Sequence, residues 1–73
     1  MSYAVRVRAL PATDRRRQDG RVLYAPEWGV GEGGDWAWEG ITAWPIPSLG
    51  AAEEFARIWA AHKGMPFLGV QAA

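Results

Sequence analysis

Polar and apolar residues alternate at the start of the chain. In "YAVRVRAL", residues 3–10, Tyr3, Val5, Val7 and Ala9 fall on one side, and Arg6 and Arg8 fall on the other. A period of two is that of a half-buried strand. Pro11 ends it, and Asp19-Gly20 signals a turn. "RVLYAPEW", residues 21–28, reads as a second strand with Val22, Tyr24 and Trp28 on one side. Pro26 has no ladder donor, so it belongs at an edge or a strand end. These two strands form a hairpin around a long charged loop. The four glycines of residues 29–34 read as a flexible connection. "WAWEGITAWP", residues 36–45, is a third strand with Trp36 and Trp38 on one face and Ala37 and Glu39 on the other. Gly40 reads as a bulge or bend. With a bulge, Ile41 and Ala43 rejoin the Trp face; without one, Thr42 and Trp44 do.

The period then changes. At about 100° per residue, Ile58, Ala51, His62, Phe55, Trp59, Ala52 and Ala56 form one continuous arc, and Glu53, Arg57, Ala61 and Glu54 form the opposite one. This is an amphipathic surface helix. Ser48 is the N-cap candidate, since its hydroxyl can accept from a first-turn amide. Glu53 and Glu54 lie in the early turns, where the helix dipole favours negative charge. Glu53 and Arg57 are spaced to pair. Gly64 is the C-cap, and Pro66 lies just beyond the stop. "FLGV" supplies a closing strand, and "QAA" reads as a frayed tail. The expected fold is a single α+β domain over residues 1–73, in the order β-β-β-α-β. An antiparallel sheet of three or four strands is packed on one face by one helix. Its expected core includes Val5, Val7, Val22, Phe55, Ile58, Trp59 and Leu68.

Size makes that core thin. A chain of 73 residues buries only about 60% of its unfolded surface. It has no cysteine, so neither a disulfide nor a thiolate metal site can staple it. The absence of cysteine, of an apolar run of membrane-spanning length and of a signal-peptide pattern at "MSYAVRVRAL" leads to the expectation of a cytoplasmic protein. The net charge is zero but unevenly spread. Residues 1–21 carry a balance of +4, and residues 22–73 carry −4.

Catalysis is not expected. The single histidine, His62, lies on the helix's apolar arc with no motif tying it to a nucleophile. No cofactor or metal is expected. Glu27, Glu32, Asp35 and Glu39 lack the spacing of a calcium loop, and "GVGEGG" carries acids where a phosphate loop needs a cation. Arg6, Arg8, Arg15, Arg16, Arg17 and Arg21 form the one basic patch, and nucleic-acid binding through it is the alternative reading. Asp14 and Asp19 flank its central run, and no aromatic residue is interleaved within residues 4–23, so it is the less favoured one. The five tryptophans are the sharper signal. Trp59 belongs to the core. A two-faced sheet with one helix leaves a face without cover, and some of Trp28, Trp36, Trp38 and Trp44 belong there. With Asp35 and Glu39 they make a candidate protein-binding surface, since Trp concentrates contact energy at interfaces. A third reading is an aromatic platform for a small ligand. A homodimer through the open sheet face is compatible with each.

"AWPIPSLGAAEEFA", residues 43–56, followed by "MPFLGV", resembles a frame seen in small phage and mobile-element proteins, including several anti-CRISPR proteins. In it a strand runs into a Pro/Ser-capped helix, and a last strand closes the sheet. The frame covers residues 36–70, and its elements are shared by unrelated folds. The resemblance implies a non-enzymatic inhibitor that occupies a surface of a host defence complex, a protein or protein–nucleic-acid machine. No functional residue is carried over. The acids beside Trp28, Trp36 and Trp38 would then mimic nucleic-acid charge.

Overall fold

A computed structural model describes residues 1–17 and 19–72. It is an α+β protein with elements β1 (Ser2–Ala9), β2 (Tyr24–Glu32), β3 (Asp35–Gly40), α1 (Leu49–Lys63) and β4 (Phe67–Gln71). The strands form one sheet in the order β3-β2-β1-β4. β1, β2 and β3 pair antiparallel, whereas β4 lies parallel to β1. The sheet is therefore mixed. The chain leaves β3, crosses β2 and β1 as a helix, and returns beside β1 in β3's own direction.

Strand bounds differ from the sequence pattern most in β2 and β3. β2 begins at Tyr24 and continues through the glycines to Glu32, so Val22 lies in the β1–β2 loop and is exposed. The expected flexible connection shrinks to Gly33-Gly34, with Gly33 at φ 60°. A positive φ at the first central residue is what a tight type II′ hairpin turn requires. β3 stops at Gly40 with neither a bulge nor an extension, and residues 41–44 bend away. The cause lies in β2. Ile41 N–H donates to Pro26 O at 2.9 Å, but Pro26 has no N–H to return. The ladder ends where that donor is missing.

The helix is capped as its sequence signals. Ser48 Oγ accepts from Ala51 N–H at 3.2 Å. Gly64 takes φ 70°, the left-handed conformation of a C-cap, and its N–H reaches back to Ala60 and Ala61 carbonyls. Glu53 and Glu54 stand in the second turn, beyond the reach of most of the dipole's benefit. Glu53 pairs with Arg57 at 3.5 Å.

The buried face of α1 is not the centre of the apolar arc. Ala52, Ala56 and Ala60 are fully buried against Val5 and Val7, with Tyr24, Trp28, Ile41, Ile46, Trp59, Met65 and Phe67 around them. Phe55 and Ile58, expected in the core, are exposed, and Ile58 keeps 63% of its surface in water. Small residues every fourth position let the helix approach the sheet closely, while bulky side chains on the sheet fill the flanks. Leu68 is also exposed. Gly69, at φ 94°, sits where the register of β4 against β1 shifts, so β4 does not alternate simply. Gln71 is the last residue of β4 rather than a frayed one, and Ala73 lies outside the described residues.

The packing yields a contrast that thermal denaturation by circular dichroism can check. Ala56→Leu overfills the closest helix–sheet contact and costs about 1–3 kcal/mol. Ile58→Ala changes the side chain by the same three carbons yet alters stability by no more than about 0.5 kcal/mol.

Candidate functional site

The sheet face away from the helix is organised by glycine. Trp36 is paired with Gly31, and Trp38 with Gly29. A Cβ placed on Gly29 would lie 2.5 Å from Trp38 Cε3, and one on Gly31 would meet Trp36 and the Asp35 carbonyl. The two glycines are thus a bed for two indoles, a cross-strand arrangement in which an aromatic ring covers a bare backbone. The rings stack at 5.4 Å with planes 19° apart. Trp36 Nε1–H donates to Gly33 O at 3.1 Å, tying the stack to the turn. Ala4, in the same row as Gly29 and Trp38, is 2% exposed although no helix covers it.

Arg6 continues this file. Its guanidinium carbon lies 3.9 Å from the Trp38 ring centroid. Arg6 Nε donates to Glu27 Oε1 at 2.9 Å, and Arg6 Nη1 donates to Gln71 Oε1 at 2.9 Å. Arg8 Nε donates to the same carboxylate at 3.2 Å. Glu27, 8% exposed, is held by two cations, which is what makes a buried carboxylate tolerable. The network crosses β4, β1 and β2 and locks the open face.

The helix side of the sheet is different. α1 contacts β1, β2 and β4 but, among the described residues, not β3. Trp28, Val30 and Ala37 therefore form a shallow floor beyond the helix, bordered by Glu39. Trp59, Lys63 and Met65 join this floor to the helix. Phe55, Ile58 and His62 carry the apolar surface onward along α1 from Trp59. The result is one continuous apolar shelf made from β2, β3 and the flank of α1. Trp28 stands directly across from Glu39, Val30 from Ala37 and Glu32 from Asp35, so carboxylates rim its outer side.

The six residues expected at a protein interface do not form one site. Trp28, Asp35 and Glu39 belong to the helix-side shelf. Trp36 and Trp38 lie half-buried on the other face. Trp44, 63% exposed, sits apart in the bend after β3. Phe55, Ile58 and His62 were not expected there. Their signal was an apolar arc about 160° wide, more than one flat sheet face needs.

The basic residues are largely engaged. Arg6 and Arg8 serve Glu27. Arg16 donates from Nε and Nη2 to Asp14, each at 3.0 Å. Arg17 donates to the carbonyls of Leu10, Gly20 and Arg21, closing the loop on itself. Asp19 and Gly20 both take positive φ there, as an Asp-Gly pair permits. Arg15 and Arg21 are exposed and enter no ion pair among the described residues. This loop and the acidic β2–β3 turn lie at opposite ends of the strands. Among the described residues no group of three His, Cys, Asp or Glu gathers to hold a metal ion, and no helix is long and apolar enough to cross a membrane.

No protein-family model matches the chain, and no curated protein or solved structure is found to be similar to it.

Gly29→Val tests the indole bed. The new side chain displaces Trp38 and separates it from Arg6. The expected outcome is a loss of about 1–3 kcal/mol in thermal unfolding with a red-shifted tryptophan emission. The Arg loop gives a pH signature. The Arg16 guanidinium, hydrogen-bonded to Asp14, holds that carboxyl down to about 2. A depressed folded value means that the pair's contribution is present above the ordinary carboxylate range, near pH 4. It is lost as pH falls through about 2. A carbon-detected NMR titration of Asp14 reads this midpoint directly.

Proposed function

We propose that the chain is a non-enzymatic protein-binding module that works by surface contact through the helix-side shelf. One observation carries this reading: the helix stops short of β3, so Ala37 is exposed and Trp28 and Val30 are only half-buried beside Phe55, Ile58, Trp59 and His62. A contiguous apolar surface rimmed by charge is what a soluble module presents to a partner. Aromatic anchors at its centre give large, rigid contact area. The finer expectation, an inhibitor seated on a host defence complex, is supported only by the resemblance over residues 36–70 and specifies the partner rather than the surface.

Capture from nuclease-treated lysate of the source cells, with the wild-type chain and Ile58→Glu compared by quantitative mass spectrometry, tests the reading. Ile58 is exposed, so the variant keeps its fold, which circular dichroism verifies. The expected result is a protein enriched at least about tenfold by the wild type over the variant, since a charge in the middle of an apolar contact costs more than about 1.4 kcal/mol. Capture that is unchanged by both Ile58→Glu and Ala37→Glu sinks the shelf as the contact surface.

A further inference from the structure

The backbone of the hairpin has a direction that the side chains do not reveal. Leu10 N–H donates to Leu23 O, and Ile41 N–H donates to Pro26 O, each at 2.9 Å. Groups alternate along a strand. Odd-numbered residues of β2 therefore bond toward β1, and even-numbered ones bond toward β3. The β3 partners of those even positions are Asp35, Ala37 and Glu39. Trp36, Trp38 and Gly40 then turn their N–H and C=O groups outward, where the sheet has no further strand. Their side chains give no cover. Both indoles fold inward over Gly31 and Gly29, and Gly40 has none.

Such an edge is a template for another strand. Its helix-side residues read Asp35, Ala37, Glu39, an acid, a small apolar residue and an acid at every second position. Neither acid has an ion-pair partner among the described residues. A second copy fits poorly. β4's edge, Phe67–Gln71, offers no charge, and β3 against β3 brings carboxylates together on adjacent strands.

We propose that the β3 edge accepts an extended basic segment of a partner protein as a fifth strand. The segment carries Lys or Arg at its first and fifth positions, facing Asp35 and Glu39, and a β-branched residue at its third, beside Ala37. That middle residue prolongs the apolar floor of Val30 and Trp28. The inference rests on the protein-binding reading and names the kind of segment such a partner presents.

The test uses the full chain labelled with nitrogen-15 and three blocked synthetic peptides. One contains Lys-Thr-Val-Thr-Lys, one contains Glu-Thr-Val-Thr-Glu, and one is the lysine peptide N-methylated on the backbone amides that would face β3. The lysine peptide shifts the amides of Trp36, Trp38 and Gly40 and slows their hydrogen exchange. The glutamate peptide binds about tenfold more weakly, because two attractive cross-strand pairs become repulsive. N-methylation abolishes the response. Asp35→Lys combined with Glu39→Lys reverses the order of the two unmethylated peptides; both side chains are exposed, so the fold is retained. No binding, equal binding of lysine and glutamate peptides, or shifts confined to Phe55, Ile58 and His62 overturns the proposal. So does a concentration-dependent dimer that protects the same amides without peptide. Failure here alongside Ile58-dependent lysate capture removes the strand edge and leaves the shelf. A peptide response with Ile58-independent capture does the opposite.

Discussion

The helix meets the sheet through Ala52, Ala56 and Ala60, and the narrowness of that contact shapes most of the molecule. Alanine brings helix and sheet backbones close and buries little area per residue. A wider footprint would need larger side chains and a greater separation. With this one, α1 sits over β1 and reaches β2 and β4 at its flanks through Trp59 and Arg57. β3 lies out of reach. The larger apolar residues of the helix, Phe55 and Ile58, are left beside the contact rather than in it.

Because one helix leaves the far side of the sheet bare, that side has its own means of excluding water. Trp36 and Trp38 lie across Gly31 and Gly29, and Ala4 is buried beneath this layer. The arrangement costs backbone entropy at the two glycines and is offset by the area of two indoles. The file then passes through Arg6 to Glu27, Arg8 and Gln71. Apolar stacking and a satisfied charge cluster thus do on this face what an additional helix does in larger folds. These tryptophans hold the hairpin to the sheet, which leaves Trp28 as the strand indole turned toward the shelf.

Local signals made part of this legible. The alternation of Val5, Val7, Arg6 and Arg8 reports β1 because neighbours two apart share a face. Ser48 and Gly64 mark α1 because caps are chemistry within one turn. What the sequence hid depends on residues far away along it. Gly29 and Gly31 read as a loop because a missing side chain looks like freedom until the ring that fills the space is identified on the next strand. β3 ends at Gly40 because of Pro26, fourteen positions earlier. The helix's apolar arc named every candidate for burial except Ala60, but which part is covered is decided by the shape of Val5, Val7 and Trp28 beneath it. The division of Trp36 and Trp38 from Asp35 and Glu39, by contrast, was legible, since alternation within one strand puts the two pairs on opposite faces.

The placement of charge at the two ends of the strands has a consequence for motion before contact. The molecule is 38 Å in its longest dimension and carries no net charge. Arg15 and Arg21 lie beyond one end of β1 and β2, while Glu32 and Asp35 mark the other. A neutral body of this kind feels no net pull in a uniform electric field but does feel a torque, and it is drawn in only where the field varies across it. Near a charged surface it is turned before it is drawn in, so one end leads. Encounter is then oriented without long-range attraction, and dissolved salt weakens the alignment rather than the grip.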